Sequence, residues 1–160
     1  MTLFGPACGP AMVAPYLVDS HYLGRCGRGW AWSDEFGVMV WAKPTSRRLP
    51  QDGTWFELHR WCLIGIKNGG SQQFARVRRH ILATYAEATT LVSYSDPAVG
   101  HTGAVYKACG WYWAPTWHRL RPPPSGNGSW RPGVVANVKD RWIYDLRPDP
   151  RRAELLRVKT

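Results

Sequence analysis

The chain has 160 residues, 44% hydrophobic and 13% aromatic with 10 Trp, which suits one folded domain and excludes a disordered chain. Lys plus Arg is 21 against 11 Asp plus Glu, a net charge of +10, which favours a polyanionic partner, nucleic acid before an anionic membrane. No apolar run is long enough for a membrane helix, no signal-peptide pattern opens the chain, and Cys8, Cys26, Cys62 and Cys109 are too far apart for a zinc knuckle, so a reducing cytoplasm is expected.

In chain order, residues 11–23 place Val13, Leu17 and Leu23 at helical spacing, with Pro15 in the first turn and Gly24 as the C-terminal stop. Trp30-Ala31-Trp32 and Phe36 to Ala42 read as two strands around Ser33-Asp34-Glu35. Residues 43–53 form a polar loop carrying Arg47 and Arg48. Thr54 to Ile66 is the longest strand, and its two partly apolar faces suit a central position.

The turn Lys67-Asn68-Gly69-Gly70-Ser71 precedes the clearest helix, Gln72 to Ala88. Its stripe Phe74, Val77, Ile81, Tyr85, Ala88 is spaced 3, 4, 4 and 3. Ser71 is the expected N-cap. A strand, a Gly-rich turn and a helix N-terminus can hold an anion on backbone N–H groups, so Lys67 to Gln72 are expected to bind a donor phosphate. A plain chain reversal is the competing use of the glycines.

Leu91 to Trp113 holds the densest chemistry. Leu91 to Ser95 is a strand stopped by Asp96-Pro97. Gly100-His101-Thr102-Gly103 is a polar corner, Ala104 to Cys109 a short helix closed by Gly110, and Trp111-Tyr112-Trp113 another strand. Residues 119–133 are a Pro/Gly-rich loop, expected to be mobile. Lys139 to Leu146 is a last strand, and 147–160 a basic tail. The order implies an α+β domain with a mixed sheet, spanning residues 1–160 with its core at 11–146.

The element order, with a phosphate-type turn between the long strand and the main helix, resembles the GNAT acyltransferase fold over most of residues 11–146. Three pieces resemble the Mom family of phage DNA-modification proteins. They are His21-Tyr22-Leu23, then Glu57-Leu58 to Arg60 leading to Lys67-Asn68 and Ser71, and then Ser93 to Pro97 with Gly100 to Gly103, Tyr106, Ala108 and Gly110-Trp111. The resemblance implies an enzyme that adds a small amide-bearing group to the N6 amine of adenine in DNA and protects it from restriction. It also implies an acyl donor such as acetyl-coenzyme A, and a bound iron. The ordinary GNAT pyrophosphate signature is absent, and residues 67–71 stand in its place.

Within that frame Asp96 is expected to take a proton from the attacking amine or to bind metal; an Asx-turn is its competing use. Tyr106 is expected to protonate the departing thiolate. His21, Tyr22, His101 and Ser95 are further catalytic candidates, and His21, Tyr22 and Asp96 are the candidate iron ligands. An adenine amine must leave the base stack to react. Trp111, Trp113, Trp117 and Trp130 are candidates to stack the base. Arg47, Arg48, Arg119, Arg121, Arg131 and the tail are candidates for the phosphates. A homodimer is compatible with the sequence. A conventional acetyltransferase on a small amine or protein, and a non-catalytic nucleic-acid-binding module, are the alternatives.

Overall fold

In the computed structural model, residues 9, 11–15, 29–116 and 139–157 are described. Among these residues six strands form one mixed sheet in the order β1-β2-β3-β4-β6-β5. They are β1 Trp30–Asp34, β2 Gly37–Ala42, β3 Trp55–Leu63, β4 Thr90–Ser95, β5 Tyr112–Ala114 and β6 Asp140–Asp145. The helices are α1 Gly69–Thr84, α2 Ala104–Ala108 and α3 Arg152–Leu155, and Pro97–Val99 is one 3-10 turn. Residues 11–15 are also helical. No described helix is long and apolar enough to cross a membrane.

The sheet is antiparallel except between β3 and β4, which run parallel and are joined through α1. That crossover follows from the sequence: parallel neighbours need a long connection, and the 3.6-period stripe supplies it. Phe74, Val77 and Ile81 on α1 are buried against Met39, Trp41, Phe56, Leu58 and Leu91 of the sheet. The opposite face is covered in two places. Val13 packs on Ala31, Val38, Val40 and Cys62, while Leu155 and Leu156 pack on a cluster of Leu49, Trp55, Val92, Ala114 and Ile143. Covering on both sides explains why β3 carries apolar residues on both faces.

Three local expectations change. The N-cap of α1 is Asn68, at φ 58°, and not Ser71, which lies inside the helix. Gly69 and Gly70 form its first turn because they must come close to their neighbours: a Cβ on Gly69 would sit 3.0 Å from Phe36 Cδ1, and one on Gly70 2.8 Å from Val105 Cγ2. The helix ends at Thr84 rather than Ala88, although Ala88 is buried as the stripe requires.

Through residue 157 the basic tail is fastened to the body. Arg147 donates to the carbonyls of Leu82, Tyr85 and Ala88, at the end of α1 and in the turn after it. Cationic donors suit a helix C-terminus. Arg152 bonds Thr90 Oγ1 and the Arg147 carbonyl and pairs with Asp145 at 3.0 Å. Asp149 is buried under Trp55 and Thr89. The loop 119–133 and residues 158–160 lie outside the described residues.

Candidate active site

β3 and β4 pair only from Trp55↔Thr90 to Leu58↔Ser93. Beyond that register β3 pairs with β2 alone, and Tyr94 and Ser95 pair with β6 alone. The parting has a local cause: the β2–β3 register slips between Val40 and Trp41, leaving His59 as an extra residue. A bulge of this kind bends a strand and increases its twist. The two strands therefore form a fork, and the β4-facing edge of β3 beyond Leu58 has no strand partner among the described residues.

A cleft of about 1240 Å³ occupies the fork. Ligand pockets usually measure roughly 300–1,000 Å³, so this one has room for a donor and an acceptor together. Its walls come from Glu57 to Trp61 on β3, Tyr94 on β4, Gly100 to Tyr106 after β4, Arg48 and Thr45 from the 43–54 loop, Arg141 at β6, and Leu155 and Arg157 from the C-terminal segment.

Tyr106 stands at the crotch of the fork. Its hydroxyl lies 2.8 Å from Ser93 Oγ, which in turn donates to the Leu58 carbonyl at 3.0 Å. Leu58 and Ser93 are the last paired residues of the two strands. The ring is clamped by Trp142 at 5.4 Å, stacked within 10°, and by the edges of Trp61 and Trp111. α2 can present Tyr106 here because Gly103, at φ 73°, lets the chain press on Trp142: a Cβ there would be 2.0 Å from Trp142 Cζ2.

Glu57 is the buried carboxylate of the cleft, 6% exposed. Its Oε2 accepts the Thr45 backbone N–H at 2.6 Å, and its Oε1 lies 3.3 Å from Thr45 Oγ1 and 3.8 Å from His59 Nε2. Burial, and then the negative charge of Glu57, push the Tyr94 phenol up to about 12, against the opposing pull of Arg141. In the sequence Glu57 stands out only as part of a family resemblance. A lone Glu at an inward strand position carries no signal until the fold brings Thr45 and His59 beside it.

Several expected site residues move to structural roles. Asp96 is 4% exposed and caps the 3-10 turn, accepting the Ala98 N–H at 3.0 Å; it is not a wall of the cleft. The Asx-turn before Pro97 explains it. Ser95 Oγ accepts the Trp142 indole N–H at 2.9 Å inside the core. Trp111 is 4% exposed, packed among Trp41, Phe74, Tyr106 and Tyr144, and so is not a stacking platform. Trp113 is 54% exposed on β5, with its indole N–H on Asp140. His101 and Arg48 do line the cleft, while Arg47 borders a smaller pocket beside His59. Lys67, Asn68 and Gln72 are exposed at the start of α1, Ser71 is half-buried, and Cys109 Sγ reaches Ser71 Oγ at 3.9 Å. None of residues 67–72 is among the walls of the main cleft. His21, Tyr22, Trp117, Arg119, Arg121, Trp130 and Arg131 lie outside the described residues.

Of the implied iron ligands, Asp96 alone is described, and it is buried beneath its turn with Oδ1 used by Ala98. Among the described residues no three His, Cys, Asp or Glu side chains converge on a point. His21 and Tyr22 lie outside the described residues, and no step below passes through iron.

Comparison with known proteins agrees with this geometry. A model of the Mom protein family matches residues 17–121. No curated protein matches the sequence. Among solved structures, a Bacillus subtilis acetyltransferase in complex with CoA superposes with a TM-score of 0.50 at 17% identity, covering 84% of this chain and 82% of the other. The fold is thus GNAT-like, a mixed six-stranded sheet with helices on both faces.

Proposed function

From a chain that belongs to the Mom protein family, we propose an enzyme that transfers a small acyl-type group from a coenzyme A thioester to the exocyclic N6 amine of adenine in DNA. The observation that carries this reading is the Tyr106 phenol fixed at the fork of β3 and β4, where the edge of β3 that β4 leaves faces the cleft. An extended, amide-bearing donor arm can add to such an edge through backbone hydrogen bonds. The structural neighbour named as a CoA complex has the same fold, which supports this donor class. The start of α1 at residues 67–72, where Lys67, Asn68 and Gln72 are exposed, is the proposed place for the donor phosphates, since a helix N-terminus favours anions.

The acceptor amine attacks the thioester carbonyl carbon, forming the C–N bond. Glu57, directly or through one water, receives the proton the amine loses. Collapse of the tetrahedral adduct breaks the C–S bond, and Tyr106 gives its proton to the leaving thiolate. Ser93 then steadies the phenolate: its hydroxyl can turn from the Leu58 carbonyl to the Tyr106 oxygen 2.8 Å away. Glu57 replaces Asp96 in this scheme because Glu57 lines the cleft and Asp96 does not.

DNA as the acceptor is supported by the family and by the charge of the cleft. Arg48, Arg60, Arg141, Arg157 and Lys139 line it against the acids Glu57 and Glu154. A duplex adenine would have to be flipped out, or the strand be single.

The test is transfer of label from acyl-radiolabelled coenzyme A to a purified adenine-containing oligonucleotide, beside an oligonucleotide without adenine and a panel of small amines. Label on the adenine strand alone, lost in Glu57→Gln, supports the assignment. Label on small amines with none on DNA favours a conventional acetyltransferase.

A further inference from the structure

Arg141 is 9% exposed, yet it lies in the wall of the cleft. A buried guanidinium is expected to face a carboxylate, because an unpaired buried charge is costly. Arg141 instead donates to the carbonyls of Pro115 and Leu156 and to the Tyr94 phenol oxygen. Among the described residues no carboxylate pairs with it, and its Nε–H is buried without an acceptor. Its neighbour Asp140, the nearest acid in the chain, accepts the Trp113 indole N–H. Lys139 and Arg157 stand on the same wall, and no described acid is paired with Arg157. The neutral partners of Arg141 fix its plane without cancelling its charge.

We propose that Arg141, with Lys139 and Arg157 beside it, is a phosphate-binding subsite for the acceptor strand, holding a phosphodiester next to the reacting base. The inference rests on the DNA-acceptor reading above. A phosphate could also come from the donor coenzyme, but the expected donor position is the start of α1, and Arg141 is on β6, which β4 separates from β3.

The experiment measures fluorescence anisotropy of a short single-stranded oligonucleotide against salt, with donor binding followed separately using coenzyme A alone. It compares wild type, Arg141→Gln, Arg141→Lys and Arg157→Gln, each checked for fold by circular dichroism. Inorganic pyrophosphate serves as a third probe, read by the rise in Tm. Arg141→Gln should bind the oligonucleotide at least tenfold more weakly and lose roughly 0.7 from the salt slope, one single-strand phosphate contact. Its coenzyme A affinity should stay unchanged, and pyrophosphate should raise its Tm less than it raises that of the wild type. Arg141→Lys should recover part of the loss, and Arg157→Gln should show a smaller one. If Arg141→Gln lost coenzyme A binding and kept the oligonucleotide, the subsite would belong to the donor and the proposal would fall. An unchanged pyrophosphate response in Arg141→Gln would also overturn it. If Arg141→Gln is misfolded, Arg157→Gln decides instead, and its unchanged oligonucleotide affinity and salt slope would overturn the proposal. Pyrophosphate binding that depends on Arg141 in a protein that ignores the oligonucleotide would uphold the anion subsite and defeat the DNA reading instead.

Discussion

Replacing Asp149 by Asn should destabilise the protein by about 3 kcal/mol, although the residue is remote from the chemistry. Asp149 Oδ1 accepts from the Arg151 backbone N–H at 2.9 Å and from its Nε at 3.1 Å. Oδ2 accepts from Trp55 Nε1 and Thr89 Oγ1, each at 2.9 Å, and from a further Arg151 nitrogen at 3.2 Å. Both oxygens meet donors only, so an amide can satisfy one side and must turn its own N–H groups against donors on the other. Hydrogen bonds to a charged acceptor are worth about 1.5–3 kcal/mol each, and at least one with a buried partner is lost. For a domain of this size the loss corresponds to a fall in Tm of roughly 6–12 °C. Urea unfolding should show a lower midpoint at constant slope.

The pH dependence gives a second reading of the same substitution. Burial alone would raise the Asp149 carboxyl, but donors from Arg151, Trp55 and Thr89 outweigh it and hold it below the usual carboxylate range. A carboxyl depressed in the folded state stabilises the protein above its unfolded pKa of about 4, and that stability is lost as pH falls below it. The gap between wild type and Asp149→Asn should therefore shrink on acidification from pH 6 to 3. A difference below about 1 kcal/mol at pH 7, or a gap constant with pH, would mean that the Asp149 charge does not hold this corner together.

Other expectations follow from single contacts. Gly103→Ala places a Cβ against the Trp142 ring at a positive φ, so thermal unfolding should show a clear loss of stability and the oligonucleotide assay a loss of transfer. Trp111→Ala should cost roughly 3–5 kcal/mol in urea unfolding, as for other buried aromatics, whereas exposed Trp113→Ala should cost well under 1 kcal/mol. Tyr94, with its phenol pushed up to about 12, contributes stability that is fully present below about pH 10 and lost as pH rises towards 12. Tyr94→Phe should flatten that alkaline limb in a stability–pH profile.

The elements of this fold were legible in the chain because local signals and tertiary demands agree. The stripe Phe74, Val77, Ile81 marks α1, and the apolar run of β3 marks a strand covered on both faces. Asp96-Pro97 and Gly110 stop their elements where expected, the latter with φ 79°. What was not legible depends on distant partners. Ser71 is a good capping type, but close packing of Gly70 on Val105 starts the helix earlier. Asp96 and Glu57 are chemically alike, and only the fold puts one under a turn and the other in the cleft. The basic C-terminal run reads as a phosphate-holding tail, yet Arg147, Arg151 and Arg152 bond carbonyls and acids of the body. Trp111 and Trp113 stand two apart in one aromatic run, yet Trp111, just before β5, packs into the core on Phe74 and Tyr106, while Trp113 on β5 is exposed.

Adenine modification itself can be read by nucleoside mass spectrometry on plasmid DNA from cells making this protein, with Tyr106→Phe as the control. An adenine-derived nucleoside of raised mass is expected with the wild type. Its yield should fall by about a hundredfold or more in the control, since a positioned acid contributes roughly 10²–10⁴. Unmodified adenine from cells holding soluble wild-type protein and acyl-coenzyme A, or equal modification by Tyr106→Phe, would contradict the proposed chemistry.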